Sequence, residues 1–171
     1  MEFGFLPVMV NHKLILDDDL GEDFSLIAVH CSEEAYKMAY LLNKHVHLRL
    51  QRRRRDLDFS TEGLEVTFPL FDFEDENQYT TYHLVANKCK TVAAHTVASG
   101  GLFGDEIHEE VVTKYLLPEF KKVDFFLKVS SEYDTTPIRK LLMQLNEIDQ
   151  VISAFIVEVS EVKLRENLIF D

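Results

Sequence analysis

Cys89, His95, Glu106 and His108 are the side chains of this sequence best suited by type to chemistry, and they fall in a single stretch, 89–110. Cys89 stands between Lys88 and Lys90, and neighbouring cations lower a thiol's pKa and so raise its nucleophilic fraction. The four residues could form a catalytic site only if the fold brings them together. His108, with Asp105, Glu106 and Glu109 beside it, also hints at a metal site. A metal needs three or four converging ligands, and the second histidine that a helical zinc motif places four residues on is missing. The group reads as a solvated acidic face, and no metal or cofactor is expected.

Other local signals are weaker. His45 and His47 would share one face of a strand, a possible ligand pair with no third member. Ser99 before Gly100 lacks the Gly-x-Ser-x-Gly setting of an activated serine. Gly100-Gly101-Leu102-Phe103-Gly104 lacks the Lys-Ser/Thr that completes a phosphate-binding loop. The run from Arg52 to Arg55 could meet phosphate, but Asp56 and Asp58 follow it and no aromatic residue interrupts it, so it reads as a solvated strand end. A net charge of −12 opposes nucleic acid and anionic membranes through the field of the whole molecule.

The elements that must position these residues can be read from hydrophobic period. Phe24 to Cys31 is apolar on both faces, as in a strand covered on two sides. Ser32 reads as the cap of a helix with an Ala35, Met38, Ala39, Leu42 stripe, running to about Lys44. Val46, Leu48 and Leu50 then alternate with polar residues as a half-solvated strand. Leu64 to Leu70, with a phase change at Pro69 to Phe71 and Phe73, reads as a bulged edge strand, and Tyr79 to Asn87 closes a hairpin with it. From Cys89 onward the small residues and glycines predict a mobile loop, followed by a helix capped by Asp105 with Ile107, Val111 and Tyr115 on one face. A strand from Lys122, a helix opened by Thr136-Pro137 and a strand at Val151–Val159 complete the pattern. The last strand is apolar on both faces and is expected to be central. Leu164, Leu168 and Ile169 are spaced to dock the tail as a short turn or helix.

The expected architecture is therefore α+β, a predominantly antiparallel sheet with two strand-helix-strand units, ferredoxin-like with an inserted hairpin and loop-helix. At 171 residues and 46% hydrophobic, one domain is expected. Residues 1–12 read as a loose leader, with Met1 or Met9 as the start. No run is apolar and long enough for a membrane span, and a signal peptide is not evident, which suggests the cytoplasm. Cys31 and Cys89 end apolar strands and are expected as reduced thiols.

Leu117-Pro118-Glu119-Phe120-Lys121-Lys122-Val123-Asp124-Phe125 joins the expected helix to the next strand. Read as Leu-Pro-Glu-x-x-x-Val-Asp-Phe, it resembles the signature of the IPExxxVDY family of small bacterial proteins, with Leu117 for Ile and Phe125 for Tyr. Leu41-Leu42-Asn43-Lys44 and Asn167-Leu168-Ile169-Phe170 are also similar, so the resemblance extends along the chain. It implies no activity, because the family has none assigned. The signature itself reads as a folding device: Pro118 stops the preceding helix, Glu119 and Asp124 flank the strand entry, and Val123, Phe125 and Leu127 fill the core. Asp124 needs a partner, either loop N–H groups or one of Lys122, Lys128, Arg139 and Arg165. Two functions remain open. One is a non-enzymatic binding or regulatory module for an unknown protein or small molecule, and the other is a small enzyme with its site around 89–110.

Overall fold

The computed structural model describes residues 24–61, 63–97, 106–133 and 136–170. Their elements, in chain order, are β1 (Phe24–Cys31), α1 (Ala35–Val46), β2 (Gln51–Arg52), β3 (Leu57–Asp58), β4 (Thr67–Phe68), β5 (Leu70–Asp75), β6 (Thr80–Ala86), β7 (Lys88–Val97), β8 (Glu106–Tyr115), β9 (Phe125–Ser131), α2 (Ile138–Asn146) and β10 (Val151–Val157). Six strands form one sheet in the order β10-β1-β9-β6-β5-β2, with every pair antiparallel. The fold is α+β. Counting only β1, β6, β9 and β10 in chain order, the four adjacent strands at one end of the sheet lie in the order fourth, first, third, second, which is the strand order of a ferredoxin-like sheet. Beyond β6 the sheet is extended by β5 and β2.

Alternation along each strand divides the core in two. Ile27 and Val29 of β1, Leu84 of β6 and Leu127 of β9 face the helices and meet Met38, Leu42, Leu141 and Leu145. Leu26, Ala28, Val85 and Phe126 point the other way, into a cluster closed by Phe68, Leu116, Leu117, Val162, Leu168 and Phe170. The second face is thus covered by turns and by the C-terminal tail, whose 3-10 turns are Val159–Glu161 and Arg165–Leu168. Each fully buried Leu, Ile or Phe contributes roughly 1.5–3 kcal/mol relative to an exposed one, so the tail is part of the core rather than an appendage.

The structure corrects several expectations. The segment from Glu106 to Tyr115 is a strand, not a helix, and pairs through ten residues with β7 in a two-stranded ribbon outside the main sheet. Its spacing fits either period, but Ile107, Val111, Val112 and Thr113 are β-branched and favour a pleated surface. The stretch expected to be a mobile loop after Cys89 is the other half of that ribbon; the glycine cluster and Ser99 lie outside the described residues. β10 is an edge strand, not a central one, and leaves Ile152, Phe155 and Ile156 exposed. α1 extends to Val46, where His47 closes it at φ 62, so Leu48 and Leu50 are buried without joining a ladder and only Gln51–Arg52 pairs. β5 is flanked by β2 and β6 rather than standing at an edge, with Pro69 breaking it from β4. α1 is entered from Glu34 and α2 from Pro137, neither with a side-chain cap; the Thr136 hydroxyl bonds Thr80 instead. In the tail Leu168 docks but Ile169 is exposed. No helix among the described residues is long and apolar enough to cross a membrane.

Candidate functional site

The signature folds as a 3-10 turn (Pro118–Phe120) between β8 and β9, and Asn87 holds it. Asn87 lies between β6 and β7 and is fully buried. Its amide donates to the carbonyls of Phe120 at 2.9 Å and Val123 at 3.0 Å, and its Oδ1 accepts the Leu117 N–H at 2.8 Å. Its backbone closes the remaining gap: Asn87 N–H donates to Asp124 O, and Leu116 N–H to Asn87 O. One side chain therefore satisfies three backbone groups that turn geometry would otherwise leave buried and unpaired.

Asp124 lies one residue before β9, not within it, and is tied to β1 as well as to the ribbon. Lys88 Nζ donates to Oδ1 at 2.6 Å, and the Cys31 backbone N–H donates to Oδ2 at 3.1 Å. The cation is Lys88, none of the four expected, whereas the expected loop N–H is present. His30 Nδ1 is 3.9 Å from Oδ2, too far for a hydrogen bond. Glu119 Oε1 accepts the Lys163 N–H at 2.7 Å, linking the signature to the tail, and Asn167 adds a bond to Leu116 O. Leu117, Val123 and Phe125 are buried, and Pro118 occupies the first position of the turn. Burial pushes the Cys31 thiol above its usual pKa, with the Glu33 and Asp124 charges adding to the rise against a backbone hydrogen bond from Glu33.

Beside this staple lies a cleft of about 550 Å³, between the signature turn and β10. Its walls are Phe120, Val123, Phe155 and the His30 ring, which sits 5.8 Å from the Phe155 ring centre. Exposed Lys121 and Lys122 stand on its rim. A second cavity, of about 470 Å³, lies at the far end of β6 and β9, with His83 and Lys128 inside and Glu74, Glu76 and Glu132 around it. Lys128 is buried and already engaged, donating to Leu168 O at 3.0 Å with its ammonium over the Phe24 and Phe170 rings.

Of the residues singled out for chemistry, Cys89 is a free, partly buried thiol packed against the second core cluster. The ribbon register sets His95 opposite His108 and Val97 opposite Glu106, while the side chains of His95, Glu106 and His108 lie outside the described residues. Arg52 pairs with Asp56, and Arg53 with Asp72 and the Phe170 carbonyl, so at least half of the arginine run serves local structure. Asn87, His30, Lys88 and Phe155 escaped sequence reasoning because their contacts with the signature join segments far apart in the chain. No family model matches this chain, nor does any curated protein or solved structure.

Proposed function

We propose that the protein is a non-enzymatic binding module whose ligand docks in the cleft between the signature turn and β10. The observation that carries this reading is the engagement of the signature's two carboxylates. Asp124 is occupied by Lys88 and the Cys31 N–H, and Glu119 by the Lys163 N–H, so both carboxylates hold the frame of the cleft. A hydrogen-bonded frame beside an open, aromatic-walled cleft of this size offers a small molecule apolar surface with a few polar groups to orient it. Membership of the IPExxxVDY family, a cytoplasmic location and a single domain belong to the same proposal. The competing reading is a small enzyme built on 89–110, favoured by the opposition of His95 and His108 in the ribbon. A fragment library of mixed charge, screened by two-dimensional NMR, separates them. Hits should cluster at His30, Phe120, Val123 and Phe155; hits clustered on the ribbon would overturn the cleft reading.

A further inference from the structure

We infer that the cleft selects compounds that join an aromatic body to an anionic group, an aryl-substituted carboxylate being the simplest. The inference rests on the cleft reading and adds the chemical class of its ligand. The walls supply flat apolar surface: the Phe155 and His30 rings lie at an interplanar angle of 34°, Phe120 stands edge-on to Phe126, and Val123 is buried between them and the core. An aromatic ring laid against these walls buries apolar area and gains from offset or edge contacts.

Charge at the mouth sets the other half of the specificity. The chain carries −12 overall, yet the described residues lining this cleft include Lys121 and Lys122 and, among them, a single carboxylate, Glu119. That carboxylate accepts the Lys163 N–H, and Asp124 behind the wall is neutralised by Lys88. A local positive rim on an acidic molecule favours an anion at this place and disfavours cations and neutral analogues. Both lysines are exposed, so they give selectivity and salt sensitivity more than affinity.

The test compares 3-phenylpropionate with the isosteric neutral 3-phenylpropanamide, titrated into the full chain and followed by two-dimensional NMR. The acid should perturb His30, Phe120, Val123 and Phe155 and bind about five-fold or more tightly than the amide, with the preference falling as salt is raised. A Lys121→Ala/Lys122→Ala variant, changed only at exposed positions, should lose the preference while keeping its fold. Equal binding of acid and amide in the cleft would overturn the ligand class and leave the cleft reading standing. Perturbation elsewhere by both compounds, or by neither, would overturn the inference, with the fragment screen then deciding the cleft reading. A concentration-dependent dimer whose contacts fall on the same four residues would assign the cleft to a second copy and also overturn it.

Discussion

Asp124 and Asn87 divide the work of holding the signature, one with charge at the margin and the other with neutral bonds inside. Asp124 is 25% exposed and Lys88 36%, so their attraction is screened and the bond from Cys31 N–H carries comparable weight. Asp124→Ala should lower stability by about 1–3 kcal/mol, because it leaves the Cys31 N–H without its acceptor. Urea unfolding of Asp124→Ala and Asp124→Asn checks this, and unchanged or raised midpoints in both would make Asp124 a binding residue instead. Asn87→Ala strands the Leu117 N–H and two carbonyls in the interior and should cost roughly 3 kcal/mol or more on the same measurement. Cys31 adds a pH dependence of definite sign. Its folded thiol pKa is raised, so the stability it contributes is present below the unfolded thiol pKa of about 8.5 and is lost as pH rises through the folded value. Tyr82, raised chiefly by burial, acts in the same direction at higher pH, from the unfolded phenol value of about 10. Stability should therefore bend downward above about pH 8.5, and Cys31→Ala should flatten the first part of that decline. A stability curve level through this range would contradict the assignment.

α1 and α2 share a device that periodicity cannot reveal. Asn43 of α1 donates its amide to Leu50 O at 3.0 Å and accepts the Leu50 N–H at 2.8 Å, and Asn146 of α2 does the same to Ala154, at 3.0 and 2.8 Å. Each carboxamide stands in for a neighbouring strand at one residue. For Ala154 this matters, because β10 is an edge strand with exposed Ile152 and Ile156 and no charged residue of its own, the sort of edge that recruits another chain. Asn146→Ala should therefore both destabilise by about 1–2 kcal/mol and promote self-association, whereas Asn43→Ala should only destabilise. Sedimentation of the two variants at rising concentration distinguishes them, and equal behaviour would show that Asn146 has no protective role. β1, the β5–β6 hairpin, α1 and α2 were legible in the sequence because their apolar residues repeat at one period with breakers at the ends. The ribbon was not, since Ile107, Val111 and Tyr115 fit a helical face as well as a strand. β10 was misplaced because apolar residues on both faces signal burial without naming the neighbour that provides it. The site was half legible: the signature was visible as a unit, but Asn87 reaches it across 30 to 36 residues, a distance over which local pattern carries no information.

At the scale of the whole molecule, stability is distributed unevenly. β1 and β9 lie inside the six-stranded sheet with helices on one face and the tail on the other, and their central residues are fully buried. The ribbon is different. Cys89 and Thr91 at its base pack against the body, but Val92 and Val111, directly opposed in the ladder, are 50% and 67% exposed. A two-stranded ribbon is marginal in water unless its face is covered, so its outer part should open independently of the sheet. The tail, although last in the chain, should behave as part of the sheet. Val162, Leu168 and Phe170 are buried, and Arg53 and Lys128 hold the Phe170 and Leu168 carbonyls. Native-state hydrogen exchange should then rank amides in three groups: β1 and β9 exchange only through global unfolding, the buried tail amides follow closely, and those of β7 and β8 beyond Val92 and Val111 exchange fastest. The decisive comparison is Phe170→Ala. Removing a buried ring that sits 5.1 Å from His83 and covers Lys128 should cost about 3–5 kcal/mol and accelerate exchange in β9 and β6, leaving the outer ribbon unchanged. If Phe170→Ala sped exchange only within the tail, the tail would be a separable cover and not the second wall of the core.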